Sequence, residues 1–364
     1  MHVADGRIQA IEGAPCTEAE ARGNGLPLVL PGFIDLHVHG GGGFDVMQGG
    51  DALAHVARMH AQCGTTSMLA TTLTAPLDEL HVAMRAMAGL VRDGVPQGAR
   101  VLGVHLEGPY LSRERLGAQP DFVRPASIAE VLALHALAPI RLITLAPDSP
   151  QQRATITELR AHGFTVQLGH SAASYEDGVA ALRCGATGFT HLFNAMSGLH
   201  HRAPGLVGAA LAHAEYAEII PDLLHVHPGA IRVALRAIPG LYCVTDAMEA
   251  AGMPDGDYQL GHQRVTKCLG GVRLPDGSLA GSTLTMDQAL RNLVGLGLSL
   301  AEASMRTATH AADFLGITDR GRLQPGAWAD WVVLDEALGV QQVCLEGQAV
   351  ELRQLAPVSA APVA

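Results

Sequence analysis

Two histidines stand two residues apart in PGFIDLHVHG, His37 and His39. On an extended run, alternation puts both side chains on one face. Two imidazoles so placed can share a metal ion. An apolar, β-rich run precedes them and a glycine stretch, Gly40 to Gly43, follows. Glu107 closes another such run in VLGVHLEGPYL. A carboxylate there is costly to bury unless a metal or a cation meets it, although a salt-bridged glutamate is the plainer alternative. His105, in the same motif, reads as a packing or supporting residue. LGHSAA carries His170 and FTHLFNAMSG carries His191. Each alone is an ordinary structural histidine. With Glu107 they form the two-nitrogen, one-oxygen ligand set of a catalytic zinc-type site that keeps a position open for water. CVTDAMEAAG adds Asp246. That carboxylate can take a proton from attacking water and return it to a leaving amine; its alternative is a helix cap.

These residues need a frame that brings them to one point. Between about residues 30 and 300, β-rich runs alternate with amphipathic ones. Strands are predicted near 33–39, 65–72, 100–107, 141–147, 164–170, 187–193, 216–222 and 241–247. Helical runs such as DALAHVARMHAQCG and PLDELHVAMRAMAGLVRDG lie between the early ones. Eight strands with crossovers predict an α/β fold, a (β/α)8 TIM barrel with its active site at the strand C-termini; a doubly wound sheet is the alternative. Strands one, three, five, six and eight then each present a ligand-type residue at the same end.

The two ends of the chain read as short strands and turns, and combine into a small β-sandwich domain. The boundaries expected are 33–321 for the barrel and 1–32 plus 322–364 for the sandwich. The segment 258–281, with its PDG turn, reads as a hairpin insertion after strand eight. The last stretch, 356–364, reads as frayed.

The 364 residues are 48% hydrophobic and carry a net charge of −11. This suits a large core and argues against nucleic acid or an anionic membrane as partner; an anionic substrate must be met by local positive groups. Six cysteines are scattered without a CxxC pair and read as buried reduced thiols. The first residues have no apolar signal core, and no run of 18 apolar residues occurs. A soluble cytoplasmic protein is expected.

Taken in order, HLEGPYL, GHSAA, THLFNAMSGLHHRAPGLVGAAL and VTDAM resemble the N-acetylglucosamine-6-phosphate deacetylase family of the amidohydrolase superfamily. The likeness spans nearly the whole chain and includes GRLQPGAWADWVVLD. It implies a TIM barrel with a small sandwich. Many binuclear amidohydrolases bridge two metals with a carboxylated lysine before the two histidines. Here the sole lysine, Lys267, comes after Asp246, so Glu107 takes that place.

By this resemblance Glu107, His170 and His191 hold the main divalent metal, and His37 with His39 completes a second site. One or two metals per subunit are expected, zinc first, with iron, cobalt or manganese able to serve. Asp246 is implied as general acid/base. Asn194 and the backbone of Ala195 resemble substrate contacts. Arg202 and His225 resemble phosphate contacts that the neighbouring subunit supplies, which implies a homodimer with shared active sites. Some family members carry a histidine twelve residues after the ligand glutamate to polarise the amide carbonyl; this chain has Gln119 there. The implied substrate is a small phosphorylated amino sugar, N-acetyl-D-glucosamine 6-phosphate, deacetylated by hydrolysis. The alternatives are another N-acyl amino sugar or an N-acyl amino acid, or a non-catalytic barrel; decay of that kind is expected to have lost ligands that are all present here.

Overall fold

The computed structural model describes residues 1–13, 17, 19, 20 and 25–352. Eight parallel strands occupy the predicted places: β1 (Phe33–Val38), β2 (Thr65–Thr71), β3 (Arg100–Glu107), β4 (Ile140–Leu145), β5 (Thr165–Leu168), β6 (Gly188–Phe189), β7 (Tyr216–Ile219) and β8 (Gly240–Cys243). The first six form one sheet in sequence order, and β7 pairs with β8. A few backbone contacts close the two seams. Leu192 N donates to Glu218 O at 2.9 Å beyond β6, and Asp246 N donates to His37 O at 2.9 Å, with Val38 bridged in parallel to Ala247. The chain is therefore a closed eight-stranded barrel, with two weak seams on either side of the β7–β8 pair.

The strand sequences explain this burial. Every residue of β1 and β2 is buried, as expected for parallel strands covered by helices outside and by packed side chains inside. Phe33, Ile34, Leu36, Met68, Leu69, Leu106, Ile143 and Phe189 fill the core. Each such side chain contributes about 1.5–3 kcal/mol when taken from water. The two predicted helices form as Ala52–Gln62 and Leu77–Asp93. The second has Asp78 and Glu79 in its first turn and Arg92 in its last, charges that complement the helix dipole. It stops at Gly94, whose φ of 79° lies in the left-handed region that favours glycine.

Segments from the two ends of the chain meet in one antiparallel sheet. Leu28–Pro31 pairs with Trp331–Leu334, which pairs with Val340–Leu345, which pairs with Gln348–Ala349. A hairpin of His2–Ala4 and Arg7–Ala10 joins through an Arg7–Trp328 bridge. Arg320 ties this region together, bonding both Asp330 and Glu346. The frayed stretch 356–364 and Cys16 lie outside the described residues.

After β8 comes a three-stranded antiparallel insertion, Gly256–Leu260, Gln263–Cys268 and Gly271–Arg273. The middle strand alternates, with Val265 and Lys267 buried between exposed neighbours. Cys268 falls on the outward face, so it is exposed where a buried thiol was expected; Cys63, Cys243 and Cys344 are buried. The buried Lys267 donates its Nζ to the carbonyls of Ala250 (3.1 Å) and Met253 (2.5 Å). It thereby pins the loop that carries Asp246.

Candidate active site

The ligand-type residues converge at the C-terminal mouth of the barrel, but not all lie on strands. Glu107 is the last residue of β3 and His37 lies within β1. His39 is one residue beyond β1, His170 two beyond β5, His191 two beyond β6 and Asp246 three beyond β8. His170, His191 and Asp246 have positive φ values of 47°, 27° and 51°. Such backbone costs about 1–3 kcal/mol for a non-glycine residue and persists where its surroundings hold it. Here Ser112 N donates to His170 O at 2.9 Å, and Ser282 N to Asp246 O at 2.7 Å. These turns aim the side chains at the barrel axis.

Glu107 stands between two pairs of imidazoles. Its Oε1 lies 3.0 Å from His170 Nε2 and 3.2 Å from His191 Nε2. Its Oε2 lies 3.2 Å from His39 Nε2 and 3.5 Å from His37 Nε2. Asp246 Oδ1 closes the second group at 3.4 Å from His37 Nε2 and 3.3 Å from His39 Nε2. All six side chains are buried or nearly so.

Their outer contacts fix the tautomers. His170 Nδ1 donates to Arg115 O at 2.9 Å, and His39 Nδ1 to Thr71 O at 3.1 Å. His37 Nδ1 donates to Glu218 Oε2 at 2.9 Å. A carbonyl or carboxylate can only accept, so each Nε2 is left to point inward with its lone pair. Yet His170 and His191 bring their Nε2 atoms to 2.9 Å, and His37 and His39 bring theirs to 3.2 Å. At those separations each pair needs a proton or a metal ion between its two nitrogens.

The electrostatics make the same demand. Burial alone would lower the pKa of His37, but the carboxylates of Glu107, Glu218 and Asp246 outweigh it and hold it well above the usual histidine range. His39 is raised to about 9 against its own burial, by the hydrogen bonds that Asp246 and Glu107 accept from it. Burial would raise Glu107, but the charge of His37 and the contacts with His170 hold it well below the usual carboxylate range. Asp246 is lowered for similar reasons, by His37 and His39. These acids are ionised, and the centre requires cationic charge. Glu107, His170 and His191 place one ligand atom each within 4.8 Å of one another, as do His37, His39 and Asp246. Mixed nitrogen and oxygen donors with oriented outer partners suit a divalent metal ion.

Several supporting residues were not singled out from the sequence. Glu218, fully buried in β7, also accepts from the backbone of His191 at 3.1 Å and from Gln167 Nε2 at 2.7 Å. Its signal was a glutamate inside the apolar run YAEII. Asp35 accepts from Thr245 Oγ1 at 2.6 Å and so braces the residue before Asp246. Burial pushes the Asp35 carboxyl up to about 7. His105, which the sequence marked as a packing or supporting residue, shares a hydrogen bond with Thr144 Oγ1 at 2.7 Å and packs edge-on against His37, 4.6 Å between ring centres. Burial lowers it to about 3, so it is neutral.

A cleft of about 140 Å³ opens above the centre. Gln119, Asn194, Ala195 and His225 line it beside His39, Glu107, His170, His191 and Asp246, with Leu73, Leu260 and Leu279 as apolar walls. Asn194 Nδ2 donates to His191 O at 3.1 Å, and Ala195 has a φ of 49°. His225 was expected from a neighbouring subunit, but it lines this chain's own cleft. Its Nδ1 is 2.6 Å from Asp222 Oδ2. Arg202 is not among the lining residues; it is exposed, with its Nη1 2.7 Å from His201 Nε2.

A closed (β/α)8 barrel with a histidine–carboxylate centre at its C-terminal mouth defines a class of metal-dependent hydrolases. Residues 28–350 match the Amidohydrolase family, and the chain belongs to it. Within that family it is similar to the N-acetylgalactosamine-6-phosphate deacetylase of Escherichia coli O157:H7, with 43% identity over 96% of this chain and 93% of that one. It is 40% identical to the N-acetylglucosamine-6-phosphate deacetylase of Lysinibacillus sphaericus, over 94% and 91% of the two chains. A mutant N-acetyl-D-glucosamine-6-phosphate deacetylase from Mycobacterium smegmatis, solved in complex with N-acetyl-D-glucosamine-6-phosphate, superposes with a TM-score of 0.87. It is 34% identical, covering 96% of this chain and 93% of that one.

Proposed function

We propose that the chain hydrolyses the acetamide of N-acetyl-D-glucosamine 6-phosphate, giving D-glucosamine 6-phosphate and acetate. The observation that carries this reading is the Glu107 carboxylate, one oxygen toward each imidazole pair, with Asp246 beside the second pair. Glu107, His170 and His191 would hold a divalent metal ion, which would supply Lewis-acid polarisation and acidify water when bound. Zinc suits the donor set best, with iron, cobalt or manganese as substitutes, and His37 with His39 offers a second position.

Asp246 does the proton work. Its carboxylate is ionised and faces the cleft, so it accepts the proton of the attacking water. It returns that proton to the sugar nitrogen as the carbon–nitrogen bond breaks. Asn194 and the Ala195 backbone orient the sugar, and His225 meets the phosphate from the same chain. Arg202, with its planar fork suited to phosphate oxygens, reaches the cleft of a second copy. The working unit is then a homodimer. The barrel of 33–321 is the hydrolase domain, and 1–32 with 322–364 is the small sandwich domain. No helix among the described residues is long and apolar enough to cross a membrane, and the reaction fits the cytoplasm, where phosphorylated sugars are kept.

A second reading is favoured by one observation, the 43% identity to a deacetylase named for the galacto epimer. Acetate release from N-acetylglucosamine 6-phosphate, N-acetylgalactosamine 6-phosphate and unphosphorylated N-acetylglucosamine tests all three claims. The gluco phosphate is expected to have the highest kcat/KM. A higher value for the galacto phosphate transfers the proposal to that epimer. Equal rates on the free sugar remove the phosphate site, and no release from any of them removes the deacetylase reading.

A further inference from the structure

Gln119 was read from the sequence as a donor to the substrate carbonyl, but its surroundings give it another task. Its Oε1 accepts from Thr74 N at 2.8 Å, and its Nε2 donates to Glu107 Oε2 at 2.5 Å. A backbone N–H can only donate and an ionised carboxylate can only accept. Flipping the Gln119 amide would set oxygen against carboxylate and NH2 against N–H, so its orientation is fixed. The side chain is 6% exposed, and Gln119 N donates to Leu116 O at 3.0 Å, which anchors the loop.

The oxygen that Gln119 holds is the one facing His39 and His37. The terminal torsion of a glutamate is broad and has no strong preference of its own. Left alone, the Glu107 carboxylate could turn both oxygens toward one imidazole pair. We propose that Gln119 is a positioning residue for the metal centre, fixing the plane of the Glu107 carboxylate so that one oxygen serves each imidazole pair. This rests on the reading of the centre as a metal site. It makes Gln119 a determinant of metal affinity before it is a substrate contact.

The test is the metal affinity of Gln119→Met, which keeps bulk and removes both polar contacts. Metal-free wild type and variant are titrated with Co2+ against a chromophoric chelator, and KM for N-acetylglucosamine 6-phosphate is measured separately. The expected result is affinity about 10–100-fold weaker in the variant, the usual effect of losing an outer partner of a metal ligand. The metal-free variant is expected to unfold cooperatively, at a lower urea concentration than wild type because the buried Thr74 N–H has lost its acceptor. KM is expected unchanged in metal-saturated protein. Equal Co2+ affinity in the two proteins, with kcat reduced, overturns the proposal and returns Gln119 to the substrate carbonyl. Failure of the wild type itself to bind Co2+ removes the metal reading instead. If Gln119→Met does not fold, Gln119→Ala is titrated in its place, with the same two outcomes.

Discussion

Glu218 accepts a hydrogen bond from His37 at 2.9 Å, and neither side chain has any exposed surface. A histidine on β1 is thus oriented by a glutamate on β7, two strands away around the closed barrel. The same carboxylate oxygen accepts from the backbone of His191 at 3.1 Å. One buried acid therefore braces a member of each imidazole pair. Glu218→Gln is expected to weaken metal retention by about 10–100-fold, as loss of an outer carboxylate generally does. Dialysis against graded chelator with metal analysis measures it; retention equal to wild type would contradict this role.

Asp246 makes its hydrogen-bonding and charge contacts with His37 and His39, and these keep it ionised. Asp246→Asn keeps the shape and removes the proton acceptor. Turnover should fall by about 10²–10⁴-fold, while the metal held by Glu107, His170 and His191 stays bound. Single-turnover acetate release with parallel metal analysis separates the two effects. Near-normal turnover would show that Asp246 is not the proton carrier.

Arg202 is exposed and absent from the lining of its own cleft. Arg202→Ala should raise KM for the phosphorylated sugar by about 10–100-fold, the equivalent of one charge-assisted contact of about 1.5–3 kcal/mol. The unphosphorylated sugar should be unaffected. If Arg202 serves the other subunit, mixed dimers of Arg202→Ala and Asp246→Asn regain activity at low substrate, because one cleft then has both residues intact. Lack of recovery after subunit exchange would place Arg202 outside the site.

Removal of metal should abolish turnover and lower thermal stability together, because the converging Nε2 atoms at 2.9 Å and 3.2 Å lose the charge between them. At metal concentrations of 100 times Kd the linked stabilisation is about 2.7 kcal/mol. Calorimetry of chelated and reloaded protein checks this. An unchanged Tm would mean that the centre holds no metal that matters to the fold.

The eight strands were legible because parallel barrel strands read as unbroken apolar runs of fixed rhythm, and the structure places all eight where the runs fall. Ligand types at run ends marked His37, His39, Glu107, His170, His191 and Asp246. The sequence could not reveal that His170, His191 and Asp246 lie past their strands in left-handed turns. Positive φ at a histidine or aspartate carries no local signature as glycine would. Glu218 and Asp35 were passed over because a single acid inside an apolar strand resembles any salt-bridged residue until its partner is known. His225 was assigned across a subunit boundary because the sequence does not say that the turn after β7 bends over the same cleft. Gln119 was given a substrate role because neither Thr74 nor Glu107 can be seen as its neighbour from spacing alone.

The central claim is that water attacks the acetyl carbon of the phosphorylated amino sugar. Metal-loaded protein incubated with N-acetylglucosamine 6-phosphate in ¹⁸O-labelled water, followed by mass spectrometry, tests it most directly. The prediction is acetate bearing one heavy oxygen, with the phosphate group of glucosamine 6-phosphate unlabelled. Labelled inorganic phosphate, or no acetate at all, would contradict it.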